Sequence, residues 1–184
     1  MLNFDSLTHN DDGYGYISAL YIESGYELFT DYTFASLGTL NSGYTGSTAL
    51  LAGTYYSPIG LSRQDGGLFN ISSIDLAYIN NPPDGPLSIS FCGQKDQPGV
   101  CAVTQTFTLA QEFGEQTFIF DQSFTNLHGV LWYQGIGPLS TTVPGHQFDN
   151  IVVSSVPLPS SLILALSGLG IFFVFTQRRC GYVR

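Results

Sequence analysis

Hydrophobic and polar residues alternate with a period of two along most of the first 155 positions. Residues 103–109 show it best: Val103, Gln105, Phe107 and Leu109 fall on one side of an extended chain, and Thr104, Thr106 and Thr108 on the other. Such alternation belongs to a sheet with one face in the core and the other in water. Similar runs, separated by Gly, Pro, Asn and Asp clusters, predict about ten strands, near residues 2–7, 15–22, 26–34, 48–56, 68–79, 87–92, 102–109, 116–121, 128–134 and 147–154. Segments such as Asn80-Asn81-Pro82-Pro83-Asp84-Gly85 and Gly135-Ile136-Gly137-Pro138 separate them as loops. No stretch before Ser160 sustains a helical period. The expected fold is all-β, a two-sheet antiparallel sandwich of jelly-roll type, over residues 1–155 as one domain.

Composition agrees with this pattern and narrows the partners. Only 10% of the chain is charged, whereas Gly (21), Phe (14) and Tyr (11) are abundant, a balance of short strands and tight turns. All fourteen Asp and Glu residues precede residue 156, and only Arg63 and Lys95 offset them there. So acidic a domain repels phosphate backbones and anionic headgroups, which excludes nucleic acid as a partner. Cys92 and Cys101 bracket the Gly93–Val100 loop between two strand-like runs and are expected to form a disulfide. Closing so short a loop contributes about 2–3 kcal/mol on a chain-entropy view. His9, His128 and His146 are isolated from one another, so the cysteine pair lacks the further ligands of a zinc site.

After residue 155 the pattern changes. Val156-Pro157-Leu158-Pro159-Ser160-Ser161 leads into an uncharged run from Leu162 to Phe175, which Gln177-Arg178-Arg179 closes. As a helix, those residues would reach about 21 Å, short of the roughly 30 Å hydrocarbon core of a bilayer. Pro157 and Pro159 prevent an earlier start. Arg178, Arg179 and Arg184 lie beyond the run, so the positive-inside bias places that end in the cytoplasm and residues 1–155 outside. The expectation is a sorting tail over 156–184: a motif at 156–161, a short transmembrane helix at 162–176 and a basic stop at 177–184.

These residues resemble the PEP-CTERM sorting tail of Gram-negative bacteria, also labelled the ice-binding protein C-terminal domain. That tail joins a Val-Pro-Glu-Pro-Ser motif to a short helix and a terminal Arg cluster. Val156, Pro157, Pro159 and Ser160 match, Leu158 stands where Glu is usual, and Arg178-Arg179 forms the cluster. The resemblance implies export, tethering in the inner membrane, and recognition by an exosortase-type membrane transpeptidase that releases the protein to the cell surface or the extracellular space. An exported protein needs a leader. Met1-Leu2-Asn3-Phe4-Asp5 reads as a first strand, so the expected start of translation is upstream of Met1. The Phe148-Asp149-Asn150-Ile151-Val152-Val153 segment is similar to the closing strand of PEP-CTERM ectodomains and of carbohydrate-binding sandwich modules.

The chemistry is sparse. Hydrolysis of a glycoside would need two carboxylates about 5–10 Å apart, and Glu112 and Glu115 merely flank a Phe-Gly turn. No Ser, Cys or phosphate-cradling motif is present, so no enzyme is expected. Sandwich modules of the kind the closing strand resembles often hold a structural Ca²⁺, for which Asp5, Asp11, Asp12 and Asp149 are the candidate oxygen ligands. Sugar binding would use aromatic platforms. Trp132 and Tyr133 adjoin on one strand, so one faces the core and the other faces out, while Tyr14, Tyr16, Tyr55 and Tyr56 lie in or beside Gly-rich loops. The single threonine rank at 104–108 lacks the parallel ranks an ice-binding surface needs. The expected protein is thus an exported, non-enzymatic surface or extracellular-matrix protein. The alternative is a secreted carbohydrate-binding module whose partner is an extracellular polysaccharide.

Overall fold

The computed structural model describes residues 1–53, 57–79, 86–97, 99–133 and 145–157. Two six-stranded antiparallel sheets face each other. The first holds, in order across the sheet, β1 (Tyr14–Ile17), β4 (Phe34–Leu37), β5 (Leu50–Ala52), β12 (His146–Ser155), β7 (Phe69–Tyr78) and β10 (Gln116–Ile119). The second holds β2 (Leu20–Glu23), β3 (Tyr26–Thr30), β6 (Pro58–Arg63), β11 (Gly129–Tyr133), β8 (Leu87–Gln94) and β9 (Val103–Leu109). The expected two-sheet sandwich is present. The expected helix at 162–176 lies outside the described residues, and among those described no helix is long and apolar enough to cross a membrane.

The expected strands at 15–22 and 26–34 become four because each bends from one sheet to the other. β1 and β4 pair in the first sheet, β2 and β3 in the second, and the corner is held by Thr30 N–H to Ala19 O (3.0 Å). Ser24 (φ 52°) and Gly25 (φ 80°) form the hairpin tip, where two successive residues with positive φ match the twist of the flanking strands. The expected strand at 2–7 is reduced to one reciprocal bridge between Leu2 and Ile151 (2.9 Å each way), followed by a 3-10 turn at Asp5–Leu7. That turn follows from Phe4, whose left-handed backbone (φ 52°) drops its ring edge-on against Phe148 at 5.9 Å.

β6 is a strand the pattern did not predict. Ile59 and Leu61 are its inward residues, but Pro58, Gly60 and Ser62 opposite them read as turn chemistry. It nonetheless pairs along its length with β3 and β11, since Pro58 stands at its first position and withholds no ladder bond from its interior.

The core is aromatic. Trp132, fully buried, projects from β11 and meets Phe148 of the opposite sheet at 5.3 Å and Phe91 of β8 at 5.3 Å. Phe91, Phe107, Phe120 and Phe124 continue the cluster with ring separations of 4.8 to 5.6 Å. Predominantly edge-on and tilted contacts of this kind add to the hydrophobic gain of burying each ring.

Cys92 and Cys101 are joined as expected, with their Cα atoms 5.3 Å apart. The bond closes the β8–β9 turn on the outer face of the second sheet. Reducing it, or replacing both cysteines with serine, is expected to lower the unfolding free energy by about 2–3 kcal/mol. Denaturant titrations with and without reductant measure this.

Candidate functional site

The outer face of the second sheet is built by register. Leu20, Phe29, Gly60, Leu131, Cys92 and Thr104 stand side by side across its strands, and Ile22, Glu27, Ser62, Gly129 and Gln94 form the next row. With strands about 4.8 Å apart, each row spans roughly 20 Å or more. One row is mainly apolar and the other mainly polar, and glycine occupies the middle of both.

Of these glycines, Gly129 lines a cleft of about 430 Å³, together with Glu27, Phe29, Arg63, Gln94, His128 and Leu131 among others. A β-carbon on Gly60 would lie 2.0 Å from Phe29 Cζ, so the absence of a side chain lets the ring fold down onto the sheet. Phe29 remains 43% exposed even so. Ser62 Oγ donates to Glu27 Oε1 (2.9 Å), which leaves the carboxylate's other oxygen for a ligand. Arg63 is already engaged, donating to Leu68 O at 3.0 Å and pairing with Asp65. The Gly67 N–H and then the Arg63 guanidinium hold the Asp65 carboxyl below its usual range. Exposed His128 and half-buried Gln94 complete the polar side. The β8–β9 half of this face carries hydroxyls that bond one another, Ser88 to Thr108 (2.8 Å) and Ser90 to Thr106 (2.7 Å).

Chemically, the cleft can hold a flat, hydroxyl-rich molecule. Phe29 and Leu131 offer apolar contact, and Glu27, Gln94 and His128 offer acceptors and donors. The volume is within the usual range for small-ligand sites.

The expected site residues fall elsewhere in part. Trp132 is in the core, so its proposed role as a ligand platform is corrected: its pairing with Ile59 turns the indole inward. Tyr133, 53% exposed, is on the outer face, two positions along β11 from Leu131. Tyr14 and Tyr16 stack at 6.5 Å on β1, at the edge of the other sheet, whereas Tyr55 and Tyr56 lie outside the described residues. Of the sorting motif, Val156 donates its N–H to Leu68 O (2.9 Å) directly after β12, and Pro157 follows. Leu158, Pro159, Ser160, Arg178 and Arg179 lie outside the described residues. Cleft residues Glu27, Phe29, Gln94 and Leu131 were not singled out, although the out-facing phase of β3 and β11 would have found Phe29 and Leu131.

Asp5, Asp11, Asp12 and Asp149 do not gather around one point. Asp5 accepts from Asn3 Nδ2 (2.7 Å), and Asp11 Oδ1 accepts from Gly13 N–H (2.9 Å) and meets His9 Nδ1 (3.0 Å). Among the described residues no group of three or more His, Cys, Asp or Glu side chains is arranged to hold a metal ion. Asp149 instead belongs to a separate carboxyl cluster. Its Oδ1 accepts from Asn150 N–H (2.7 Å), and its Oδ2 contacts Ser47 Oγ, which lies 2.6 Å from Glu115 Oε1. Burial pushes the Asp149 carboxyl up to about 7, against the lowering effect of Ser47 and the Asn150 N–H, with Glu115 and Asp75 raising it further. A hydrolytic pair would need its scissile bond between the two carboxyls, and here the Ser47 hydroxyl fills that gap.

No family model and no curated protein matches the chain. Among solved structures it is similar to a DUF4465 family protein from Bacteroides caccae, with 11% identity and a TM-score of 0.48 over 80% of this chain and 89% of that one. It is also similar to CBM29_1, a family 29 carbohydrate-binding module from Piromyces equi (16% identity, TM-score 0.38, 79% of this chain and 91% of that one). A third is the family 11 carbohydrate-binding module from Clostridium thermocellum, in complex with a β-1,3-1,4-mixed-linked tetrasaccharide (13% identity, TM-score 0.32, 77% and 95% covered).

Proposed function

We propose that this chain is a non-catalytic polysaccharide-binding sandwich, and that its ligand lies across the outer face of the second sheet. One observation carries the reading: Phe29, exposed with its ring laid over Gly60, lines a cleft of about 430 Å³ together with Glu27 and Gln94. A pyranose ring presents an apolar C–H face and a rim of hydroxyls, which that pairing of surfaces complements. The surplus of carboxylates selects for neutral glycans, because uronic-acid and sulfated chains would be repelled. Electrophoresis of the purified protein through native gels containing neutral or acidic polysaccharides tests this. Retardation by a neutral glycan supports the reading, and unchanged mobility across the panel removes it.

The resemblance of residues 156–184 to a sorting tail supports a second, compatible reading. In it the sandwich is exported, tethered by the tail and processed by an exosortase-type transpeptidase, so that it acts at the cell surface or in the extracellular matrix. A tagged chain expressed with and without the sorting enzyme is expected to differ in size and location. The same size and location in both strains would contradict it.

A further inference from the structure

The carboxyl cluster behind β12 contains a proton-counting problem. Asp149 is 1% exposed, and its neighbours in space come from three other parts of the chain: Ser47 and Thr45 from the β4–β5 connection, Glu115 from the turn before β10, and Asp75 from β7. Ser47 Oγ makes two hydrogen bonds to carboxyl oxygens, one to Asp149 Oδ2 and one of 2.6 Å to Glu115 Oε1. Ionised carboxylates only accept, and a serine hydroxyl has a single proton to give. Both contacts can be hydrogen bonds only if one carboxyl brings a proton of its own.

The surroundings say which one does. Glu115 Oε1 also accepts from Thr45 Oγ1 (2.9 Å), so it gathers two donors as a carboxylate does. Asp149 is the deeper group. The bulge at Asn150 (φ 47°) sets its N–H on Asp149 Oδ1 and its side-chain amide on Asp75 Oδ2 (2.9 Å), so Oδ2 is left for the proton. The charged groups facing Asp149 are Glu115 and Asp75, both acidic. Among the described residues the ion pairs are His9–Asp11 and Arg63–Asp65, neither of them part of this cluster.

We propose that Asp149, Ser47 and Glu115 form a proton-held latch, in which neutral Asp149 donates to Ser47 and Ser47 donates to Glu115, clipping the β4–β5 connection and the turn before β10 onto the centre of β12. Loss of the proton leaves a buried anion beside Glu115 and Asp75 and removes one of the two bonds, so the clip opens in alkali. The direction follows from the raised Asp149 value of about 7. A carboxyl held above its unfolded value contributes stability that is complete below that unfolded value and lost as pH rises through the folded one.

Melting temperature measured from pH 5 to 9 on the intact protein tests the latch. Wild type is expected to lose several degrees between pH 5 and 7.5 and to level off above that. Asp149→Asn, whose amide donates to Ser47 and accepts from Asn150 as the neutral acid does, is expected to be flat over that window and at least as stable as wild type at pH 8.5. Glu115→Gln removes a negative neighbour and should move the wild-type fall to lower pH. A flat wild-type profile, an Asp149→Asn protein that fails to fold or melts well below wild type at pH 8.5, or an unmoved midpoint in Glu115→Gln would overturn the proposal. So would millimolar Ca²⁺ that stabilises wild type but not Asp149→Asn, because a cation would then be joining the carboxylates in place of a proton.

Discussion

Trp132→Ala is expected to destabilise the domain by about 3–5 kcal/mol, the usual cost of emptying a large aromatic site in a packed core. The indole touches Phe91 on its own sheet and Phe148 on the other, so its loss opens a void at the seam between the sheets. Typical domains have only about 5–15 kcal/mol in hand. The melting temperature should therefore fall by roughly 10 °C or more. Trp132→Phe is expected to cost less than half as much, because it keeps a ring and also removes an indole N–H that has no hydrogen-bond partner among the described residues. Thermal denaturation followed by near-ultraviolet circular dichroism measures both. Equal, small losses for the two variants would show that the indole does not hold the sheets together.

The second large effect falls on binding. Phe29→Ala is expected to weaken retention by a neutral polysaccharide about tenfold, equivalent to roughly 1.4 kcal/mol. Because the ring is already 43% exposed, its removal should cost about 1 kcal/mol of stability or less. The contrast with Trp132 is the point of the comparison. One aromatic holds the fold and the other presents a surface, and only for Phe29 should affinity and stability separate. Loss of both in step would mean that Phe29 acts by packing alone.

The strand content was legible because alternation survives wherever one face of a strand is buried, as in β8 and β9. What the pattern missed has a common cause. Pro58, Gly60 and Ser62 of β6, together with Gly129 of β11, read as turn punctuation, yet Gly60 makes room for the Phe29 ring, and Ser62 and Gly129 line the cleft. One of the residues that obscured β6, Ser62, thus lines the cleft itself. Adjacency of Trp132 and Tyr133 required one to face in and one out, but only the pairing with Ile59 and Pro58 decides which. The partners of Asp149 were illegible for a different reason: Ser47 is 102 positions away, and no local spacing announces such a contact. Asp5, Asp11 and Asp12 made a plausible cation set by residue type alone, and the fold uses at least Asp5 and Asp11 to organise local turns.

The most direct test of the proposed sugar-binding face fills it while leaving the core intact. A β-carbon on Gly129 would lie 3.1 Å from Gln94 Oε1, the end of a flexible side chain that can move, and 3.4 Å from Leu61 O. Gly129→Leu should therefore occupy the cleft at little structural cost. Affinity electrophoresis of this variant beside wild type, in a gel containing a neutral polysaccharide that retards wild type, is the measurement. The account predicts that retardation disappears in Gly129→Leu while its melting temperature stays within a few degrees of wild type. Undiminished retardation of a folded Gly129→Leu protein would place the ligand elsewhere and contradict it.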